Sequence, residues 1–192
     1  FSVEIYALPG SLLSGNQQIW RDAVDATHDF LDPADRDAIE QELSQFLPAA
    51  PLWLAIDETG ETTGFMLLDG SHMEALFVDP AYRGQGVGRQ LVRHACSLHS
   101  TISTDVNEQN VQAEQFYRRL GFVAVGRSEL DGQGRPYPLI TFIDHQAFST
   151  TLRRGSGRFQ GPTLDITTTD MGRIAARQLD TRRKTGSTGM AK

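Results

Sequence analysis

The chain has 192 residues, enough for one well-buried core with an appendage and short for two. Its formal charge of −6 is unevenly spread: residues 1–152 carry nine Arg and no Lys against 21 Asp plus Glu, whereas residues 153–192 carry nine basic residues against three Asp. An acidic body disfavours nucleic acid as a partner of the domain and favours cationic small molecules or lysine-bearing peptides.

One cysteine, Cys96, cannot close an internal disulfide, and its expected role is packing as a small apolar residue. No apolar run approaches the ~20 residues that cross a bilayer, and the start Phe1-Ser2-Val3-Glu4-Ile5 lacks the basic and apolar regions of a signal peptide. These features set the expectation of a cytoplasmic protein without a membrane partner.

In chain order, residues 2–7 alternate as a strand, with Val3, Ile5 and Ala7 on one side. Residues 15–27 then place Ile19, Trp20, Ala23 and Val24 on one helical face, and Asp32-Pro33 caps a helix running to about Leu47. Residues 52–56 and 63–68 read as strands joined by Asp57-Glu58-Thr59-Gly60, and 73–78 as a third consecutive strand. Beyond Arg83-Gly84-Gln85-Gly86-Val87-Gly88 come a helix at 87–98, a strand at 101–106, a helix at 111–120 and a strand at 122–127. A turn through Asp131-Gly132-Gln133-Gly134 leads to a last strand at 137–143.

The glycine loop lies between a strand and a helix, the context of a pyrophosphate cradle. Missing side chains let the backbone approach a ligand, the helix mouth offers unpaired N–H groups, and Arg83 adds a fixed cation. A tight strand-to-helix turn is the plain alternative. A Walker loop is excluded, because Gly88 is followed by Arg89-Gln90 in place of Lys and Ser/Thr. A dinucleotide fingerprint matches at Gly84, Gly86 and Asp105 but fails at its third glycine, where Arg89 is too bulky for close helix-to-strand packing.

Downstream, Asn107-Glu108-Gln109-Asn110 precedes Ala113, Phe116-Tyr117 and Gly121-Phe122. Arg-x-x-Gly-x-Gly at 83–88 together with Asn110-x-x-Ala113-x-x-Phe116-Tyr117-x-x-x-Gly121-Phe122 resembles the acetyl-CoA-binding and catalytic motifs of the GNAT N-acetyltransferase superfamily. Within it the chain is similar to the bacterial YjaB-type acetyltransferases through Val24-Asp25-Ala26-Thr27-His28-Asp29-Phe30-Leu31, Gly64-Phe65-Met66-Leu67-Leu68, Val106-Asn107-Glu108-Gln109-Asn110 and Pro136-Tyr137-Pro138-Leu139. The likeness covers about residues 1–143.

That resemblance implies an α+β fold whose central mixed, mostly antiparallel sheet is splayed between its fourth and fifth strands and flanked by helices. It also implies acetyl-CoA as co-substrate, its pantetheine arm lying in the splay against main-chain atoms of Leu76, Phe77 and Val78. Arg83, Gly84, Gln85, Gly86, Val87, Gly88 and Arg89 would hold the pyrophosphate, with Asn107 and Asn110 facing the arm. For both asparagines helix capping before Val111 is the structural alternative.

Acyl transfer to an amine needs a neutral amine, an oxyanion donor and a proton for the departing thiolate. Neutralising a lysine-like ammonium at pH 7 costs about 4.6 kcal/mol, so an enzyme for basic amines wants a base or a water chain leading to one. Tyr117, at the family's Phe-Tyr position, is the expected acid. The base stays open among His72, Glu74 and Asp105. Strand alternation puts His72 and Glu74 on the face opposite Met73 and Phe77, while Asp105 counts onto the next strand. Asp25, His28 and Asp29 fall in the segment that lines the acceptor site in this fold, where two carboxylates would attract a cationic amine; solvated helix-end residues are the alternative.

The expected activity is direct acetyl transfer from acetyl-CoA to an amine of a small molecule or peptide, without a metal. A non-catalytic acetyl-CoA sensor or scaffold is the competing class, and a homodimer stays open. Residues 144–192 depart from the family pattern and read as a basic C-terminal extension, disordered in part or forming a docking helix at about 171–184 capped by Thr169-Asp170.

Overall fold

The computed structural model describes residues 2–9 and 15–144. They form seven strands: β1 (Glu4–Pro9), β2 (Pro51–Ile56), β3 (Thr62–Asp69), β4 (His72–Val78), β5 (Ser103–Asn107), β6 (Phe122–Ser128) and β7 (Leu139–Asp144). Four α-helices accompany them: α1 (Asn16–Asp25), α2 (Pro33–Phe46), α3 (Val87–Leu98) and α4 (Val111–Arg119). The basic extension and its expected helix lie outside the described residues.

The strands make one sheet in the order β1-β2-β3-β4-β5-β7-β6, with every neighbouring pair antiparallel except β4 and β5. That parallel pair is brief. It joins only His72 to Ser103 and Met73 to Thr104, whereas β5 goes on pairing with β7 as far as Asn107–Leu139. Past Met73 the two strands part, and among the described residues the edge of β4 from Ala75 to Val78 has no strand beside it on that side. This is the splayed mixed sheet that the motifs imply.

Each face of the sheet carries its own core. On one, α3 sinks Val87, Leu91, Val92 and Ala95 against Met66, Met73, Ile102, Val106, Tyr117, Phe122 and Phe142. The spacing of those four residues follows the helical repeat, and each large apolar side chain so buried contributes about 1.5–3 kcal/mol. On the other face Ile19, Trp20 and Val24 of α1 and Leu43 and Phe46 of α2 cover Leu52, Leu54, Phe65, Leu67 and Ala75. Local chemistry starts these helices where the sequence suggests. Asp32 accepts a hydrogen bond from the Ala34 amide at 2.9 Å with Pro33 in the first turn, and Asn110 accepts from the Ala113 amide at 3.0 Å.

Two expectations need correction. The register of β3 with β4 runs Leu68–Met73 and then Leu67–Ala75, so Glu74 is the extra residue of a β-bulge. His72 and Glu74 do oppose Met73, but the bulge restarts the alternation. Leu76 and Val78 therefore pack with Met73 in the α3–α4 core, while Phe77 packs with Ala75 on the α1–α2 side, the side of Glu74. The last strand begins at Leu139 instead of 137. Pro136 and Pro138 have no N–H for a ladder, and the intervening Tyr137 is used elsewhere: its hydroxyl donates to Asp35 Oδ2 at 2.6 Å and accepts from the Asp32 amide at 3.0 Å.

Candidate active site

The parted strands open a cleft of about 470 Å³ lined by Leu76, Phe77 and Val78 of β4, by Arg83, Gly84, Gly86, Val87, Gly88 and Arg89, and by Asn110 to Arg119 along α4. Its floor is backbone. Gly84 and Gly86 have φ of 76° and 92°, a left-handed conformation that side chains rarely adopt, and a Cβ on either would meet nothing within 4 Å. Gly86 is the N-cap of α3 and supplies no side-chain cap, so the first amides of α3 face the cleft without a partner from their own helix. Positive dipole, bare amides, three guanidinium groups (Arg83, Arg89 and Arg119) and free space suit a diphosphate, and the β4 edge beside them, unpaired among the described residues, suits the amides of an extended arm. Asn110 caps α4 through Oδ1 and also lines the cleft, so capping and ligand contact are compatible.

Tyr117 closes the inner end of this cleft and is only 5% exposed. Its ring meets Phe116, Phe122 and Phe142, and its hydroxyl lies 3.7 Å from Met73 Sδ. Burial pushes the phenol well above its usual pKa, opposed in part by the neighbouring Thr104 hydroxyl. Thr104, whose Oγ1 donates to the Met73 carbonyl at 2.9 Å, fastens β5 to β4 at the last residue before they part. Sequence reasoning passed it over because nothing distinguishes one strand threonine from another.

On the opposite face lies a narrower pocket of about 130 Å³, lined by Trp20, Val24, His28 and Leu31, by Ile39, Glu42 and Leu43, by Glu74, Ala75 and Phe77, by Asn107, and by Asp131, Gln133, Arg135, Tyr137 and Leu139. The β6–β7 connection forms its lid side. Arg135 lies 3.6 Å from Asp35, 3.8 Å from Glu42 and 3.7 Å from Asp131, and with the Tyr137–Asp35 hydrogen bond it ties that connection to α2. Three carboxylates against one guanidinium make the lining acidic.

The expected site residues divide between these spaces. Leu76, Val78, Arg83, Gly84, Gly86, Val87, Gly88, Arg89, Asn110 and Tyr117 line the larger cleft, Glu74 and Asn107 line the smaller pocket, and Phe77 lines both. Asn107 thus faces the smaller pocket and not the larger cleft, and its Oδ1 is buried without a hydrogen bond among the described residues. Gln85 turns away, its Nε2 donating to the Ala81 carbonyl at 3.1 Å. Arg83 Nη2 donates to the Ala23 carbonyl at 3.2 Å, linking the rim of the glycine loop to the end of α1.

His72 and Asp105 line neither space; they face one another. His72 Nε2 is 3.6 Å from Asp105 Oδ2, its Nδ1 is 2.8 Å from Ser103 Oγ, and Asp105 Oδ1 accepts from Thr141 Oγ1 at 2.6 Å. Burial lowers the pKa of His72, against the raising influence of Asp105 and Asp69. The pair therefore braces β4, β5 and β7 where they are still joined.

Of the three α1–α2 residues expected at the acceptor site, only His28 lines the two spaces. Asp25 is exposed and engaged by Arg36 at 2.6 Å, and Asp29 is exposed and lines neither space. The acidity expected of them comes instead from Glu42, Glu74 and Asp131.

Comparison with known proteins agrees with this architecture. The acetyltransferase (GNAT) domain family matches residues 17–136. The chain is 56% identical over 125 residues to the peptidyl-lysine N-acetyltransferase YjaB of Salmonella typhimurium strain LT2, which spans 65% of this chain and 86% of that protein. It is 55% identical over 122 residues to the protein of the same description from Escherichia coli strain K12, 64% of this chain and 83% of the relative. The solution structure of apo-form YjaB from Escherichia coli superposes with a TM-score of 0.71 at 48% identity, covering 74% of this chain and 97% of that one. Among the described residues no helix is long and apolar enough to cross a membrane.

Proposed function

This chain belongs to the GNAT acetyltransferase family, enzymes that move an acetyl group from acetyl-CoA to an amine, and on that premise we propose that its acceptor is the side-chain amine of lysine in a peptide or protein. The observation that carries the reading is a pair of unlike spaces beside the parted strands, with His28 and Phe77 lining both. One is rimmed by guanidinium groups and helix-mouth amides and suits acetyl-CoA; the other is narrow and acidic and suits an alkylammonium. The descriptions of the YjaB relatives as peptidyl-lysine N-acetyltransferases support the lysine assignment. A sensor or scaffold that only binds acetyl-CoA has no such support.

In this reading acetyl-CoA lies along Leu76 to Val78 with its diphosphate on the amides of Gly84 to Arg89, and Asn110 flanks the arm. The amine enters from the acidic pocket and forms a C–N bond to the acyl carbon while the C–S bond breaks. Tyr117 supplies the proton that the departing sulfur takes up and is reprotonated, through water, by the proton that the acylated nitrogen sheds, so one proton passes in net from nitrogen to sulfur. Its burial keeps the phenol protonated at every working pH and equally disfavours a bare thiolate beside it, so the proton moves as charge develops on sulfur. Among the expected bases Glu74 is the one on the acceptor pocket. It draws in the ammonium and, through water, receives its proton, while His72 and Asp105 keep a structural part.

The test is thiol release with acetyl-CoA across lysine peptides, peptides bearing only an α-amine, and polyamines, with product mass spectra to locate the acetyl group. Acetylation at lysine Nζ is expected. Turnover confined to α-amines or polyamines would replace the acceptor assignment.

A further inference from the structure

Two residues line both the larger cleft and the acidic pocket: Phe77 on β4 and His28, just past α1. Only the second can exchange a hydrogen bond. Its ring is held at Nδ1, 2.8 Å from Thr27 Oγ1, and that hydroxyl in turn donates to the Ala23 carbonyl at 2.7 Å. A threonine hydroxyl has one hydrogen. Having given it to Ala23, Thr27 can only accept from His28, so Nδ1 carries the ring proton and Nε2 keeps its lone pair. The ring also interacts with the Val24 carbonyl and lies against the Phe30 ring, whose centroid is 5.2 Å away.

Burial, reinforced by Arg83, lowers the pKa of His28 to about 4, against the raising influence of Asp29 and the Val24 carbonyl. At neutral pH the ring is thus an uncharged acceptor, which neither repels an arriving cation nor holds its proton once neutralised. Arg83 has a double part here, because its Nη2 bonds the same Ala23 carbonyl that orients Thr27. The glycine-loop rim and the acceptor side of the site are therefore joined through one backbone oxygen.

We propose that His28 is the residue that seats the acceptor amine: Nε2 accepts an N–H of the neutral amine where the two spaces meet, so that the nitrogen lone pair points at the acyl carbon. This rests on the lysine-acetylation reading above. It adds a specificity element from the α1–α2 turn to a reaction otherwise assigned to β4 and α4, and it restricts acceptors to groups that keep both a donor hydrogen and a lone pair, as a neutral primary amine does.

The test uses the full chain with His28→Gln and His28→Asn. A glutamine amide reaches the position of Nε2, whereas an asparagine amide reaches only that of Nδ1. With a lysine peptide, His28→Asn is expected to lower kcat/KM by roughly 10- to 100-fold, the effect of losing one hydrogen bond in a desolvated site, while the acetyl-CoA Kd from calorimetry stays within about twofold. His28→Gln should recover most of the loss. Equal impairment of both variants, an unchanged His28→Asn enzyme, or a loss explained by weaker acetyl-CoA binding would each overturn the assignment. Long-range 1H–15N spectra of the unmutated protein test it without any variant: the Nδ1–H tautomer supports it and the Nε2–H tautomer refutes it. Failure of the unmutated enzyme to acetylate any lysine peptide is a separate outcome, which removes the acceptor reading and this proposal with it.

Discussion

The two sides of the parted sheet are built on different principles. The larger cleft draws its lining from β4, the glycine loop and α4, with Ala23, Thr27 and His28 at one margin, and at the glycine loop its surface is main chain rimmed by arginines. The acidic pocket draws on α1, α2, β4, the end of β5 and the β6–β7 connection, from Trp20 to Leu139, and its surface is side chain. Main-chain recognition tolerates little variation, since a helix mouth and left-handed glycines admit few substitutes. A side-chain surface held by Arg135 and Tyr137 can be rewritten without disturbing the other side. Such a division lets an acetyl donor stay constant while the acceptor changes.

The largest effect should come from Tyr117, where the division ends and the chemistry begins. Tyr117→Phe keeps the packing against Phe116, Phe122 and Phe142 and removes only the proton donor. A fall in kcat of about 100-fold or more is expected, with neither acetyl-CoA Kd nor peptide KM moving more than about threefold. Single-turnover kinetics would check it, and a kcat near that of the unmutated enzyme would remove the acid role.

The next effect separates the sides by pH. His28 titrates at about 4 in the folded chain against an ordinary 6.5, so between those values the unfolded chain binds more protons. Stability is then fully held above about pH 6.5 and is lost as the pH falls toward 4, by about 2 kcal/mol at pH 5. His72 and His94 are lowered by burial and act in the same direction, but their contributions cancel when His28→Gln is compared with the unmutated chain. Urea unfolding from pH 7.5 to 5 should show the gap between the two proteins shift by that amount in favour of the variant. A gap independent of pH would mean that the ring is not desolvated.

The same contrast explains what could be read from the sequence. Glycine loop, capping residues and helical repeats are local, so the strand and helix order and the lining at 83–89, at Asn110 and at Tyr117 were legible, whereas the splay was implied by the family resemblance alone. The acidic pocket was not. Asp25 and Asp29 looked like its carboxylates because they flank the right turn, yet Arg36 on the next helix captures one and solvent takes the other, while Glu42 and Asp131 reach the pocket from segments carrying no motif. The bulge at Glu74 was equally hidden, since strand alternation has no symbol for one extra residue. It decides which residues line the acidic pocket nonetheless, by turning Glu74 and Phe77 to the same side.

Gly86→Ala sharpens the comparison from the donor side. At φ of 92° an alanine is strained by about 1–2 kcal/mol, and its methyl group would occupy space in which no protein atom lies within 4 Å. Acetyl-CoA Kd should rise about tenfold, measured by calorimetry, with peptide KM at saturating acetyl-CoA unchanged. A rise in peptide KM of similar size would show that the two sides are coupled, and the shared Ala23 carbonyl would be the first place to look.

Tyr137→Phe makes the converse and smallest change. It deletes the hydrogen bond to Asp35 and the acceptor for the Asp32 amide while leaving the aromatic ring beside Phe30, so the β6–β7 connection keeps Arg135 and the Gln133–Glu42 hydrogen bond as its ties to α2. One such hydrogen bond contributes about 1 kcal/mol, and peptide KM should rise by roughly three- to fivefold with acetyl-CoA Kd and kcat unchanged. Adding Arg135→Gln should raise KM further, because the connection then keeps only the 2.8 Å Gln133–Glu42 hydrogen bond as a polar hold on α2 near the pocket. If the double variant keeps the unmutated KM, the acidic pocket is not where the acceptor enters, and the separation of donor and acceptor sides would have to be drawn elsewhere.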